Sequence, residues 1–110
     1  MLDKYKYFVT STHHGNLLVW KLSKKKSLIH EFKSHTKKVT SLQTIPSRPN
    51  LFISASTDNS IRIFSLDKFT ELYSFILPNA GVKNITLLPN NRFAAYYRDI
   101  IRIGALHHMA

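Results

Sequence analysis

The 110-residue sequence contains no cysteine. Neither a disulfide framework nor a cysteine-based zinc site can be built from it. That fits a reducing compartment, and the expectation is a cytoplasmic protein, with nucleus or cilium as the other locations. No apolar run approaches the roughly 18 residues that a membrane-spanning helix needs. The opening stretch MLDKYKYFV has Asp3, Lys4 and Lys6 where a secretory signal requires an unbroken apolar core. Without an export signal the sequon Asn84-Ile85-Thr86 reads as coincidence. Acidic residues are also scarce, six against 16 Lys and Arg, for a net charge of +10. Residues 1–50 carry ten Lys/Arg against two Asp/Glu, and residues 51–110 carry six against four. A basic half of this kind either keeps loops soluble or attracts nucleic acid, anionic lipid or acidic protein surfaces. What is present, 44% hydrophobic and 12% aromatic residues, is the composition of a globular chain with at most one domain's worth of material.

The organisation lies in repetition. In FISASTDNSIRIFSL (Phe52 to Leu66) two β-rich runs flank a polar turn at Asp58 and Asn59. With Phe64 laid over Trp20, an offset of 44, Thr10 falls under Ser54, Thr12 under Ser56, Gly15 under Asn59, Leu17 under Ile61 and Val19 under Ile63. At an offset of 40, Phe93 falls under Ile53 and Ile101, Arg102 and Ile103 fall under Ile61, Arg62 and Ile63. Two independent offsets near one value mark a repeat array.

The intervals between these hairpins follow one plan. Ser23–Ser27 reads as a lysine turn, Leu28–Phe32 as a strand, Lys33–Lys38 as a loop, Val39–Ile45 as a strand and Pro46–Asn50 as turn residues. The next interval offers KFTELYSFI (Lys68–Ile76) as a strand, a loop at LPNAG, VKNITLL (Val82–Leu88) as a strand and PNNR as a turn. Helix is the competing reading for NLLVWKLSKKKSLIHEF. Its β-branched and aromatic residues, and the turn signals at Gly15-Asn16 and the lysine run, favour strands. Each full period holds four short strands.

Four strands per period, a period of 40–44 and an Asp turn followed by apolar-Arg-apolar-aromatic resemble the WD40 repeat family of β-propellers. The resemblance runs from Tyr7 to Leu106, about two and a half repeats, with repeat A at about 5–32, repeat B at about 33–76 and repeat C at about 77–106. In the middle copy Ser34-His35 stands for the family's Gly-His pair, Ser54 to Asp58 for its Ser-x-Ser-x-Asp stretch, and Ile61 to Leu66 for its Ile-Arg-Leu-Trp-Asp-Leu ending. The fold implied is all-β: four-stranded antiparallel blades of an incomplete propeller, with one complete blade at about 28–66. The family's His, Ser/Thr, Asp and Trp form a hydrogen-bonded network, and the matching residues here are His35, Ser54, Asp58 and Phe64. Phe64 has no N–H, so the bonds stop one member short. Repeat A keeps Thr10 and Trp20 with His14 at the Asp position, whereas repeat C has Ala94, Arg98 and Gly104 and keeps nothing.

An Asp, a His and a Ser in one unit invite a catalytic reading. The resemblance makes them a structural network instead, and no second base, phosphate loop or oxyanion motif accompanies them. No enzyme activity and no cofactor are expected. The pairs His13-His14 and His107-His108 invite a metal reading, but adjacent strand residues point to opposite faces and no Asp, Glu or Cys stands at ligand spacing. No metal site is expected.

The resemblance implies a rigid scaffold for protein partners, as part of a larger propeller or assembly. Aligned residue by residue, the family's contact face would present Lys38, Thr40 and Thr57 from repeat B, His13 from repeat A, and Lys83 and Tyr97 from repeat C. Lys37 and Lys38 beside Thr57 would make a basic rim for an acidic partner. The alternative is a polyanion binder for nucleic acid, anionic lipid or an acidic polymer such as a microtubule, using Lys24–Lys26, Lys33, Lys37 and Lys38. Nucleic acid is the weaker reading, because Arg48 is the only arginine in the basic half and no aromatic platform is interleaved with the lysines.

The first repeat begins at its second strand and the third lacks its last, so the remainder of the propeller or another subunit is expected to complete the ring. An open array exposes apolar faces and strand edges at both ends. Light scattering after size exclusion at physiological salt is therefore expected to show aggregates for the isolated chain. A compact soluble monomer would point instead to a small self-contained β domain.

Overall fold

A computed structural model describes residues 6–22, 27–45, 48–77, 81–89, 92–97 and 100–105. All regular structure among them is β, in ten antiparallel strands that form three sheets. The first sheet joins β1 (Lys6–Ser11), β2 (Leu17–Leu22) and β3 (Ser27–Phe32) in that order. The second has four strands, β4 (Val39–Ile45), β5 (Arg48–Ser56), β6 (Ser60–Ser65) and β7 (Thr70–Ile76), again in sequence order. The third runs β8 (Asn84–Leu88), β9 (Arg92–Tyr97), β10 (Ile100–Ala105). The stretch contested between helix and strand is β2 and β3. The run Phe52 to Leu66 that opens the repeat argument supplies the two inner strands of the complete sheet.

Alternation places each side chain. In β5, Leu51, Ile53 and Ala55 join Ile61 and Ile63 of β6 in a core shared with Val82 of the connecting loop and with Ile85, Phe93 and Ala95 of the third sheet. On the opposite face Phe52 and Phe64 join Leu17, Val19 and Phe32 of the first sheet. The middle sheet is thus buried on both faces, which explains why β5 and β6 read as nearly unbroken apolar runs. Phe52 and Phe64 stack with ring centroids 4.9 Å apart, and Phe32 approaches Phe64 at 4.6 Å from the neighbouring sheet. The register shifts between Val19 and Trp20 in β2 and between Ile63 and Phe64 in β6, so the same bulge recurs one period apart.

Five boundaries differ from the sequence reading, the smallest at Ser27, which pairs with Lys21 as the first residue of β3 rather than ending a turn. The complete sheet spans Val39–Ile76 rather than 28–66, because Leu28–Phe32 pairs with β2 and closes the preceding sheet. Arg48–Asn50 belongs to β5 and not to a turn: Arg48 pairs with Ile45, and the Asn50 carbonyl accepts the Leu66 N–H at 2.7 Å. β7 starts at Thr70, since Phe69 adopts φ 52° to turn the chain after β6. β8 starts at Asn84: the Val82 N–H is donated to the Ser56 carbonyl of the neighbouring sheet, and the Lys83 N–H meets Tyr96 of β9 just before the strand begins.

Phe64 is fully buried at the contact between two sheets. Phe64→Ala is expected to cost about 3–5 kcal/mol, whereas Ser74→Ala on the exposed outer strand stays within about 0.5 kcal/mol. Midpoints of urea unfolding for the two variants would check this.

Candidate functional site

The loop before β4 and the β5–β6 turn are tied by one imidazole and one carboxylate. His35 is buried at 3% exposure, with Nδ1 3.0 Å from Asp58 Oδ2 and Nε2 2.6 Å from Ser54 Oγ. The carboxylate neighbour fixes the tautomer: Nδ1–H donates to Asp58, and the Ser54 hydroxyl donates to Nε2. Asp58 Oδ2 also accepts the Thr36 N–H at 2.9 Å, while Oδ1 accepts the Ser60 N–H at 3.0 Å and the Ser60 hydroxyl. Arg62 continues the chain, donating from Nε to Ser60 Oγ at 3.2 Å and from Nη1 to both Glu71 oxygens at 3.0 Å. Burial lowers the His35 pKa below its ordinary value, and the hydrogen bond and charge of Asp58 oppose this only in part. For Asp58, burial acts to raise the pKa, but hydrogen bonds from Ser60, Thr36 and His35 outweigh it and hold the carboxyl below its ordinary value.

The same loops form a rim along one end of the sheets. Gly15, at φ 93°, lies so close to the second sheet that a Cβ there would sit 2.4 Å from the Lys37 carbonyl oxygen and 2.7 Å from that of His35. The Thr57 N–H reaches the Lys38 carbonyl at 3.1 Å, and the Ser56 hydroxyl reaches the same carbonyl at 2.8 Å. One sheet further on, Gly81 packs against Thr57, the Val82 N–H bonds Ser56 at 3.1 Å, and the Lys83 N–H bonds the Tyr96 carbonyl at 2.9 Å. The exposed side chains of Lys37, Lys38, Thr57 and Lys83 therefore follow one another along a backbone-bonded edge, and His13 stands on the turn whose Gly15 packs against it. The Lys83 ammonium sits 5.9 Å above the Tyr96 ring. Thr40 does not stand free on this rim. It is half-buried, and its hydroxyl is donated to the carbonyls of Val82 at 2.6 Å and Ala55 at 3.3 Å, joining two sheets. The side chain of Tyr97 lies outside those described, as do Lys24–Lys26, Arg98, His107 and His108.

The WD40 family profile, described as WD domain, G-beta repeat, matches residues 26–65. Residues 26–65 are a WD40 repeat. Among solved structures the chain is similar to the β-propeller domain of Myceliophteria thermophila Cps50 (Swd1), at 17% identity and a TM-score of 0.74, over 91% of this chain and 35% of that one. The chain thus spans about a third of the length of this relative. No curated protein matches the sequence. The fold is that of β-propeller blades, whose three sheets do not close into a ring among the described residues.

Each sheet treats the polar network differently. The middle sheet brings His35, Ser54 and Asp58 together, while Phe64 lies apart in the aromatic stack with Phe52 and Phe32. In the first sheet Trp20 Nε1 donates to Thr10 Oγ1 at 2.8 Å, and His14 is exposed in the turn. In the third, Gly104 leaves its place to the Phe93 ring, with which any Cβ at position 104 would collide at 2.3 Å. Sequence reasoning missed Ser60, Arg62, Glu71 and Gly15. Ser60 was legible as the residue two after Asp58, where a carboxylate turn takes up the backbone N–H. The Arg62–Glu71 pair needed the β6–β7 register, and Gly15's role needed the neighbouring sheet.

Both pKa shifts have the same sign of effect. The unfolded chain binds protons more readily than the folded one in the histidine and the carboxylate ranges, so stability rises with pH through both. Thermal unfolding is expected to soften first as pH falls below 6.5, the ordinary value for His35, and again below 3.8, the ordinary value for Asp58. His35→Asn is expected to remove the upper step and keep the lower one. A wild-type melting temperature flat across the upper range would contradict the assignment.

Proposed function

We propose that this chain serves, within a larger propeller, as a non-enzymatic scaffold that takes an acidic protein partner on the rim of Lys37, Lys38 and Lys83. The observation that carries the reading is the continuity of that rim. Three exposed lysines from two neighbouring sheets are held in line by the Thr57–Lys38, Val82–Ser56 and Lys83–Tyr96 backbone bonds. Charges fixed on rigid loops steer an oppositely charged partner and suppress wrong ones. Tyr96, 40% exposed beside Lys83, adds an aromatic surface of the kind enriched where protein partners bind. A non-catalytic role is supported by the chemistry of His35, Asp58 and Ser54. Their polar atoms are spent on one another, and His35 is shut from solvent, so no substrate reaches the pair.

The test compares a fluorescent Asp/Glu-rich peptide with duplex DNA. Lys38→Glu combined with Lys83→Glu is expected to slow peptide association by roughly tenfold or more. Lys68→Glu, on the turn at the other end of β6, leaves it unchanged. Equal loss from Lys68→Glu would overturn the rim assignment. Duplex DNA binding that collapses between about 50 and 200 mM salt would favour a general polyanion binder.

A further inference from the structure

One residue of β4 has no partner in the ladder with β5. Val39 pairs with Ser56 and Ser41 with Ala55, so Thr40 sits in a bulge between them. A bulge re-aims the side chain of the extra residue. The Thr40 hydroxyl is 2.6 Å from the Val82 carbonyl oxygen, beyond its own sheet, and 3.3 Å from that of Ala55 within it, so the crossing bond is the shorter. Further along β4, Gln43 Nε2 donates to the Ile85 carbonyl. Both crossing bonds span 42 residues, one repeat period, and so tie the second sheet to the third. Val82 is fully buried and gripped from both ends, its N–H by the Ser56 carbonyl at 3.1 Å and its carbonyl by Thr40. Lys83 follows directly, with its N–H on the Tyr96 carbonyl of the third sheet. On the other side of the seam Lys38 stands two residues before Thr40, its carbonyl taken by the Thr57 N–H and the Ser56 hydroxyl. Two exposed lysines thus flank one seam, and the Thr40 hydroxyl bridges it between them.

We infer that Thr40 is a positioning residue that locks Lys38 and Lys83 into one two-point cationic site, whose occupant is a single acidic segment engaging both lysines across the seam. This rests on the reading of the rim as a recognition surface, and adds what occupies it and what holds it in register. Lysines on sheets that shift against each other must be aligned anew at every encounter. Held at a fixed spacing, the second contact follows the first at high effective concentration. Thr40 acts through the lysines and not by touching the partner, because it is half-buried and its hydroxyl is already donated. The Lys83 ammonium, 5.9 Å above the Tyr96 ring, is further restrained on its own side of the seam.

The test titrates the fluorescent Asp/Glu-rich peptide onto the full chain in a double-mutant cycle of Lys38→Gln and Lys83→Gln. The two losses are expected to be coupled by about threefold or more in dissociation constant, because either substitution weakens the contact made by the other lysine. Thr40→Val keeps the β-branched shape and removes the hydroxyl. In that background each lysine substitution is still expected to weaken binding, but the coupling disappears, and Thr40→Ser restores it. Amide exchange at Val82 is expected to quicken in Thr40→Val and not in Thr40→Ser, while unchanged exchange in β5 and β6 shows that the sheet stays folded. Coupling that survives Thr40→Val, or that Thr40→Ser fails to restore, would overturn the inference and leave the rim standing. Additive losses in the wild-type chain would also overturn it, since each lysine would then meet its partner alone. If neither lysine substitution weakened the peptide, the rim itself would fall, and the inference with it.

Discussion

Two-sided burial of β5 and β6 governs the rest of the structure. Phe52 and Phe64 need an apolar neighbour on one face, and Ile53, Ala55, Ile61 and Ile63 need one on the other. A lone four-stranded sheet with this sequence would hold both sets in water, at about 1.5–3 kcal/mol for each large side chain left uncovered. The first and third sheets are therefore conditions for the second. The same demand passes outward, because each flanking sheet has its own second face. On the first sheet Phe8 stacks on Trp20 at 6.1 Å, and on the third Ile101 and Ile103 are 66% and 61% exposed.

The polar network sets where the sheets meet. Asp58 collects N–H and O–H donors from the loop before β4 and from its own turn, and His35 anchors that loop to Ser54 in β5. With the loop fixed, the Lys37 and Lys38 carbonyls stand where Gly15 of the first sheet and Ser56 of the second can approach them. A fully satisfied buried network of this kind rigidifies its surroundings. The lysines on the surface of the same loop inherit that rigidity.

Degeneracy between the repeats is accommodated by packing. Phe64 offers no N–H to the network and instead enters a three-ring stack, so the middle sheet exchanges one hydrogen bond for aromatic contact. Its polar chain turns outward through Ser60 to Arg62 and Glu71. In the third sheet Gly104 and Phe93 share one volume, which fills the core near β9 but leaves Phe75 uncovered.

The sequence by itself determined the repeat, the strand character of each run and the turn at Asp58, while the grouping of His35, Ser54 and Asp58 came from the resemblance to the WD40 family. The first three rest on alternation with period two, on local turn chemistry and on the repeat spacing. Tertiary structure alone decided that Thr40 spends its hydroxyl on Val82, that Gly15 must lack a side chain because Lys37 lies over it, and that Arg62 meets Glu71. It also decided that Phe32 is covered while Phe75 is not. Each of these depends on the register between strands or on the approach of a neighbouring sheet. Those quantities follow from bulges, twist and the volume of side chains tens of residues away, which no local pattern records.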